Sequence, residues 1–90
     1  MLGFKVTLNG EVVCIATSDN VASVIATIKG SQAMLGKAPP LLNVNGITAP
    51  YTHTTWLRSE VHLGDLITIE VVDVPASAIT TPVEVREMKP

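Results

Sequence analysis

Apolar and polar residues alternate most regularly from Leu66 to Val72, where Ile67, Ile69 and Val71 occupy one face of an extended chain and Thr68 and Glu70 the other. β-Branched side chains fit a pleated surface better than a helix turn, so this run predicts a half-buried strand with Ile67, Ile69 and Val71 toward the core. Gly64 accepts a positive φ and Asp65 can bond to nearby backbone amides, which makes Leu63-Gly64-Asp65 the turn that feeds the strand. The rest of the chain is expected to cover this stretch and the Trp56-centred apolar segment before it.

A second alternation brackets Asn9-Gly10. The apolar runs Phe4 to Leu8 and Glu11 to Ala16 flank a dipeptide whose two residues tolerate positive φ, the signature of a two-residue type I′ hairpin. The simplest register sets Leu8 opposite Glu11, Val6 opposite Val13 and Phe4 opposite Ile15. The last two pairs then line the core, and Cys14 faces Lys5 on the other side.

Val21, Val24, Ile25 and Ile28 recur at helical spacing, with Ser18-Asp19-Asn20 as capping residues before them and Gly30 as a stop. The spacing predicts a helix over residues 21–29. A strand is the alternative, because the segment is rich in β-branched residues and Ala22, Val24, Ala26 and Ile28 also share one face of an extended chain. Residues 30–40, with two glycines and a double proline, predict a loop that Met34 and Leu35 pin to the body. Leu41 to Val44 then predicts a short strand closed by an Asn45-Gly46 turn, followed by an irregular segment from Ile47 to Thr55. Beyond Val74 the regular pattern stops. Residues 1–74 are thus expected to form one compact β-rich domain, and residues 75–90 an arm in which Val83-Glu84-Val85-Arg86 can add an edge strand to this sheet or to a partner's.

Composition narrows the functional classes. The 90 residues make one domain with a formal net charge of -2, which provides no broad positive field for nucleic acid. Charged residues are only 16% of the chain, against about 25% in typical soluble domains, and mean hydropathy is positive. Apolar surface covered by a protein partner or by another copy of the chain is the expectation. The single cysteine, Cys14, excludes an internal disulfide, and with no basic leader or long apolar run the expected setting is cytoplasmic, without membrane insertion.

The chemistry-bearing residues do not assemble into a catalytic or metal-binding motif. His53 and His62 lie nine residues apart with no cysteine pair or closely spaced histidines beside them, so no metal and no cofactor is expected. Ser59, His62 and Asp65 fall within seven residues around one turn and lack a nucleophile elbow. Lys37 after Gly36 lacks the Gly-Lys-Ser/Thr ending of a phosphate loop. Tyr51, His53, Trp56 and Arg58 form a candidate recognition patch, because aromatic and Arg side chains anchor interfaces, and Val83 and Val85 of the arm are further partner-binding candidates. The competing reading places Trp56 over the core and Arg58 in solvent.

Val6-Thr7-Leu8-Asn9-Gly10, the Val21 to Ile28 segment, Val44-Asn45-Gly46 and Leu63-Gly64-Asp65 occur in an order that resembles β-grasp domains, specifically the small sulfur-carrier proteins of thiamin and molybdopterin synthesis. The resemblance covers residues 4–74 and implies an α+β, mostly β fold, a β-grasp-like mixed sheet with one helix. Those carriers end in Gly-Gly, whereas this sequence runs on through Thr81-Pro82-Val83 to Lys89-Pro90, so a carrier role requires a new C-terminus exposed by proteolysis. The Asn-Gly hairpin with Cys14, the Trp56-Leu57-Arg58 segment, Gly64-Asp65 and Pro82-Val83-Glu84 also resemble small uncharacterised bacterial proteins. If residues 21–29 are strand, the expected fold becomes an all-β six-stranded sandwich or barrel. The functional expectation is a non-enzymatic protein-binding or adaptor module that can self-associate. The alternatives are a divergent sulfur carrier and a small enzyme using Cys14 or the His53/His62 pair.

Overall fold

A computed structural model describes residues 1–17, 21–30, 38–48 and 52–87. Their strands are β1 (Leu2–Leu8), β2 (Glu11–Ala16), β3 (Val21–Lys29), β4 (Leu41–Thr48), β5 (Thr52–Glu60), β6 (Ile67–Asp73) and β7 (Glu84–Glu87), with one 3-10 turn at Ala76–Ala78. They form two antiparallel sheets of order β2-β1-β6 and β3-β4-β5-β7. One buried cluster joins them, with Val6, Cys14 and Ala16 from the first sheet and Leu42, Val44 and Trp56 from the second.

The hairpin and the Gly-Asp turn form as expected and are clasped together. Asn9 and Gly10 have φ of 53° and 85°, and Gly64 has φ of 91°. Asn9 Nδ2 donates to Asp65 Oδ1 at 3.0 Å, Leu66 N donates to Asn9 Oδ1 at 2.9 Å, and Asn9 N donates to the Leu66 carbonyl at 2.8 Å. A side chain that permits the first turn thereby ties down the second. The consequence is an unbroken β1/β6 register from Leu8↔Ile67 to Leu2↔Asp73.

The hairpin register differs from the simple one. A bulge between Val6 and Thr7 in the pairing makes Val13 the extra residue, so Val6 faces Cys14, Lys5 faces Ile15 and Phe4 faces Ala16. Cys14 therefore turns into the core rather than toward Lys5. Lys5 instead meets Glu70 across the β1/β6 pair at 3.3 Å.

The helix expected over residues 21–29 is a nine-residue strand, β3. Pairing with β4 from Val21↔Thr48 to Lys29↔Leu41, with a register shift between Val21 and Ser23, provides the backbone partners, and Val24 and Ala26 pack against the core. The Ser18-Asp19-Asn20 cap and the Met34 and Leu35 positions lie outside the described residues. With β3 extended, the described molecule is mostly β in two sheets, nearer to the all-β alternative than to a sheet carrying a helix.

Asn45-Gly46 is not a turn. β4 runs through it to Thr48, and β5 begins at Thr52, so the described residues of the segment expected to be irregular, Ile47, Thr48 and Thr52 to Thr55, are strand. Gly46 lies where two elements come close: a Cβ there would overlap the Ser23 carbonyl oxygen and stand 3.2 Å from Trp56 Cζ3. A glycine inside a strand marks close approach here, not chain reversal. Replacing Gly46 by Ala is expected to destabilise the fold by about 3 kcal/mol, because backbone must shift to admit the methyl group. Gly10→Ala, whose Cβ would meet open space but whose φ is positive, is expected to cost about 1 kcal/mol. Urea unfolding of the two variants beside the parent measures both, and equal losses would show that the Gly46 contact is not tight.

Candidate functional site

Each residue with reactive potential is placed by its strand. Cys14 is 1% exposed, and burial pushes its thiol up to about 11, well away from the thiolate form a nucleophile needs. His62 and Asp65 share the exposed turn, with His62 Nδ1 3.8 Å from Asp65 Oδ2, while the Ser59 hydroxyl donates to the Glu60 carbonyl at 3.1 Å. Ser59 thus bonds to backbone and not to His62. Among the described residues no three His, Cys, Asp or Glu side chains gather in a cluster that could hold a metal ion.

Of the proposed recognition patch, Tyr51 lies outside the described residues. The other members separate to the two faces of β5. Trp56 sits at the bulge between β4 and β5 and is 2% exposed, so its side chain belongs to the core and not to a surface patch. His53 and Arg58 lie on the outer face, opposite Ile47 and Asn43 of β4. β7 pairs with β5, setting Arg86 opposite His53 and Glu84 opposite Thr55, and Arg58 reaches Glu84 at 3.9 Å. Val83 N donates to the Thr55 carbonyl at 2.8 Å, while the Val83 and Val85 side chains remain 67% and 61% exposed. On the same outer face Asn43 Oδ1, His53 Nδ1 and Thr55 Oγ1 are buried without a hydrogen-bond partner.

A larger apolar surface lies at the opposite side of the sheets. Ile67 packs on the core as expected, but Ile69 and Val71 do not: β6 is an edge strand, and they are 47% and 66% exposed. Val71 of β6, Phe4 and Leu2 of β1 and Val24 of β3 line a groove of about 320 Å³, with Leu2 72% exposed at its mouth. The groove opens between two edges that no strand pairs with among the described residues, β6 of the three-stranded sheet and β3 of the four-stranded one. The sequence pattern does not reveal it, because a strand face says which side is apolar and not whether another strand covers it.

The chain was compared with known proteins, and no family model, no curated protein and no solved structure matches it. No helix among the described residues is long and apolar enough to cross a membrane.

Two outcomes follow from the placement of titratable groups. Cys14 is expected to resist alkylation in the folded protein at mildly alkaline pH and to react fully in denaturant, as read by intact mass; rapid labelling of the folded chain would contradict its burial. Asp65 is held below the usual carboxylate range, first by the bond from Asn9 and then by that from the His62 amide. A depressed folded-state pKa contributes stability that is complete above the unfolded value of 3.8 and is lost as pH falls through the folded value. The stability difference between the parent and Asp65→Asn is therefore expected to narrow as pH is lowered below that range, and a difference independent of pH would exclude the linkage.

Proposed function

We propose that this chain is a small non-enzymatic protein-binding module of the cytoplasm whose binding surface is the open rim formed by β3, the groove and the exposed residues of β6. One observation carries the reading. Among the described residues, twelve large hydrophobic side chains are exposed, against seven hydrophobic residues in the buried core. Scattered apolar residues are ordinary on protein surfaces, but Leu2, Ile69 and Val71 stand on neighbouring strands beside the groove, where a contiguous apolar surface favours a protein partner.

The surface suits strand addition. A free strand edge offers backbone donors and acceptors in register, and apolar side chains beside it select what pairs there. Val83 and Val85 are a second apolar exposure at the other end of the four-stranded sheet, but β7 is short and charged and gives less backbone to pair with. Neither the sulfur-carrier alternative nor the Cys14 enzyme alternative gains support from these surfaces.

A photocrosslinking residue tests the rim directly. Placed at Ile28, at the end of β3, it is expected to give discrete protein crosslinks in extract of the source cell, whereas the same residue at the exposed Thr68 is expected to give none. Absence of crosslinks from Ile28, or equal crosslinking from both positions, would remove the reading.

A further inference from the structure

β3 is exceptional among the sheet edges of this protein. Natural sheets protect free edges with charge, proline, short strands or covering segments, since an unguarded edge pairs with another chain. Three edges are protected in these ways. Thr80 covers β2, donating its amide to the Ile15 carbonyl at 3.0 Å and accepting from Ile15 N at 2.8 Å through its hydroxyl. β6 carries Glu70 and Asp73, and β7 is a four-residue strand with charges at Glu84, Arg86 and Glu87. β3 has nine residues, VASVIATIK, with no proline and with Lys29 at its last position as its single charge. Among the described residues nothing pairs with its outer edge.

Resting on the binding reading above, we propose that the partner is a second copy of this chain, joined antiparallel along β3 about a two-fold axis at Ile25. The sequence of β3 is complementary to itself in that register. Over the regular part of the strand, Ile25 meets Ile25 of the other copy, Val24 meets Ala26 and Ser23 meets Thr27, so apolar residues oppose apolar residues and hydroxyls oppose hydroxyls. Lys29 lies beyond this matched stretch, and no like charges are opposed within it. The two four-stranded sheets become one continuous eight-stranded sheet.

Side-chain burial adds to the backbone pairing. Ile25 is 50% exposed in the single chain and lies at the axis of the paired segment. The groove is lined by Val24 of β3 together with Phe4 and Val71, so the same pairing brings the grooves of the two copies beside each other across the axis. An unrelated strand added to β3 would gain the backbone bonds, but not this matching of residue to residue.

The test is sedimentation of the purified full chain with four variants. The parent is expected at twice the 9.5 kDa chain mass, and Ile25→Lys and Ile25→Glu, each placing like charges at the axis, at the single-chain mass. Mixing the two variants is expected to restore the dimer, because opposite charges then meet at the axis. Ile47→Lys, a charge on the same outer face one strand inward, is expected to leave the dimer intact. Thr68→Lys, on the first sheet, serves as a second control with the same expectation. An independent readout needs no substitution: amide exchange in the parent should slow with rising concentration across residues 23–27 and not across β7. A monomeric parent, a dimer indifferent to charge at Ile25, loss of the dimer by Ile47→Lys, or failure of the mixed variants to associate each overturns the proposal. Rim crosslinks to another protein, together with a monomeric parent, would sink self-pairing and leave the binding reading standing.

Discussion

The tight approach of Ser23, Gly46 and Trp56 is the constraint on which the second sheet depends. Trp56 is the largest fully buried side chain, and its ring edge reaches the space a Cβ on Gly46 would take. Only a residue without a side chain lets the ring and the Ser23 carbonyl come this close to β4. The strands flanking Gly46 adjust around it, with register shifts between Val21 and Ser23 on one side and between Val44 and Asn45 on the other. Those irregularities give β5 the room to turn Trp56 inward. With Trp56 buried beside Leu42 and Val44, the four-stranded sheet acquires the inner face on which Val6, Cys14 and Ala16 pack.

The first sheet is organised differently, by polar contacts between turns. Asn9 and Asp65 join the two reversals that flank β1 and β6, and the register of seven residue pairs follows from that anchor. The two sheets therefore meet on a small core and leave apolar residues at the rim. Among the described residues the core has seven buried hydrophobic residues, a modest number where burial must offset the conformational entropy of ordering each of those residues. Covering Leu2, Val71, Ile25 and Ile28 with another chain would add apolar burial to that small core, so binding and stability are linked in the proposed function.

Much of the local structure was legible before the fold was known. Asn9-Gly10 and Gly64-Asp65 were readable as turns because positive φ excludes most other residues, and the Leu66 to Val72 run as a strand because its period is two. The candidate patch was legible only in part: Tyr51 falls outside the described residues, and Trp56 left the patch for the core because the β4/β5 bulge reverses its face. Arg58 and His53 kept the outer face, where Glu84 and Arg86 join them from a strand some thirty residues later in the sequence. The rim could not be read at all, since it is made of residues from three strands whose neighbours are set by sheet order.

What the sequence determined by itself was short-range: where the chain reverses, which positions alternate, and that Cys14 has no intrachain partner. These depend on the φ a residue tolerates and on the side to which successive side chains point, both properties of a few consecutive residues. Tertiary structure decided whether Val21 to Lys29 became helix or strand, where the bulges fell, that Gly46 marks a close contact instead of a turn, and which apolar faces stayed uncovered. A segment of β-branched residues satisfies either period, and its backbone becomes strand only when β4, more than ten residues onward, supplies the hydrogen-bond partners. Covering a face requires another strand to arrive over it, and that is a property of the whole arrangement.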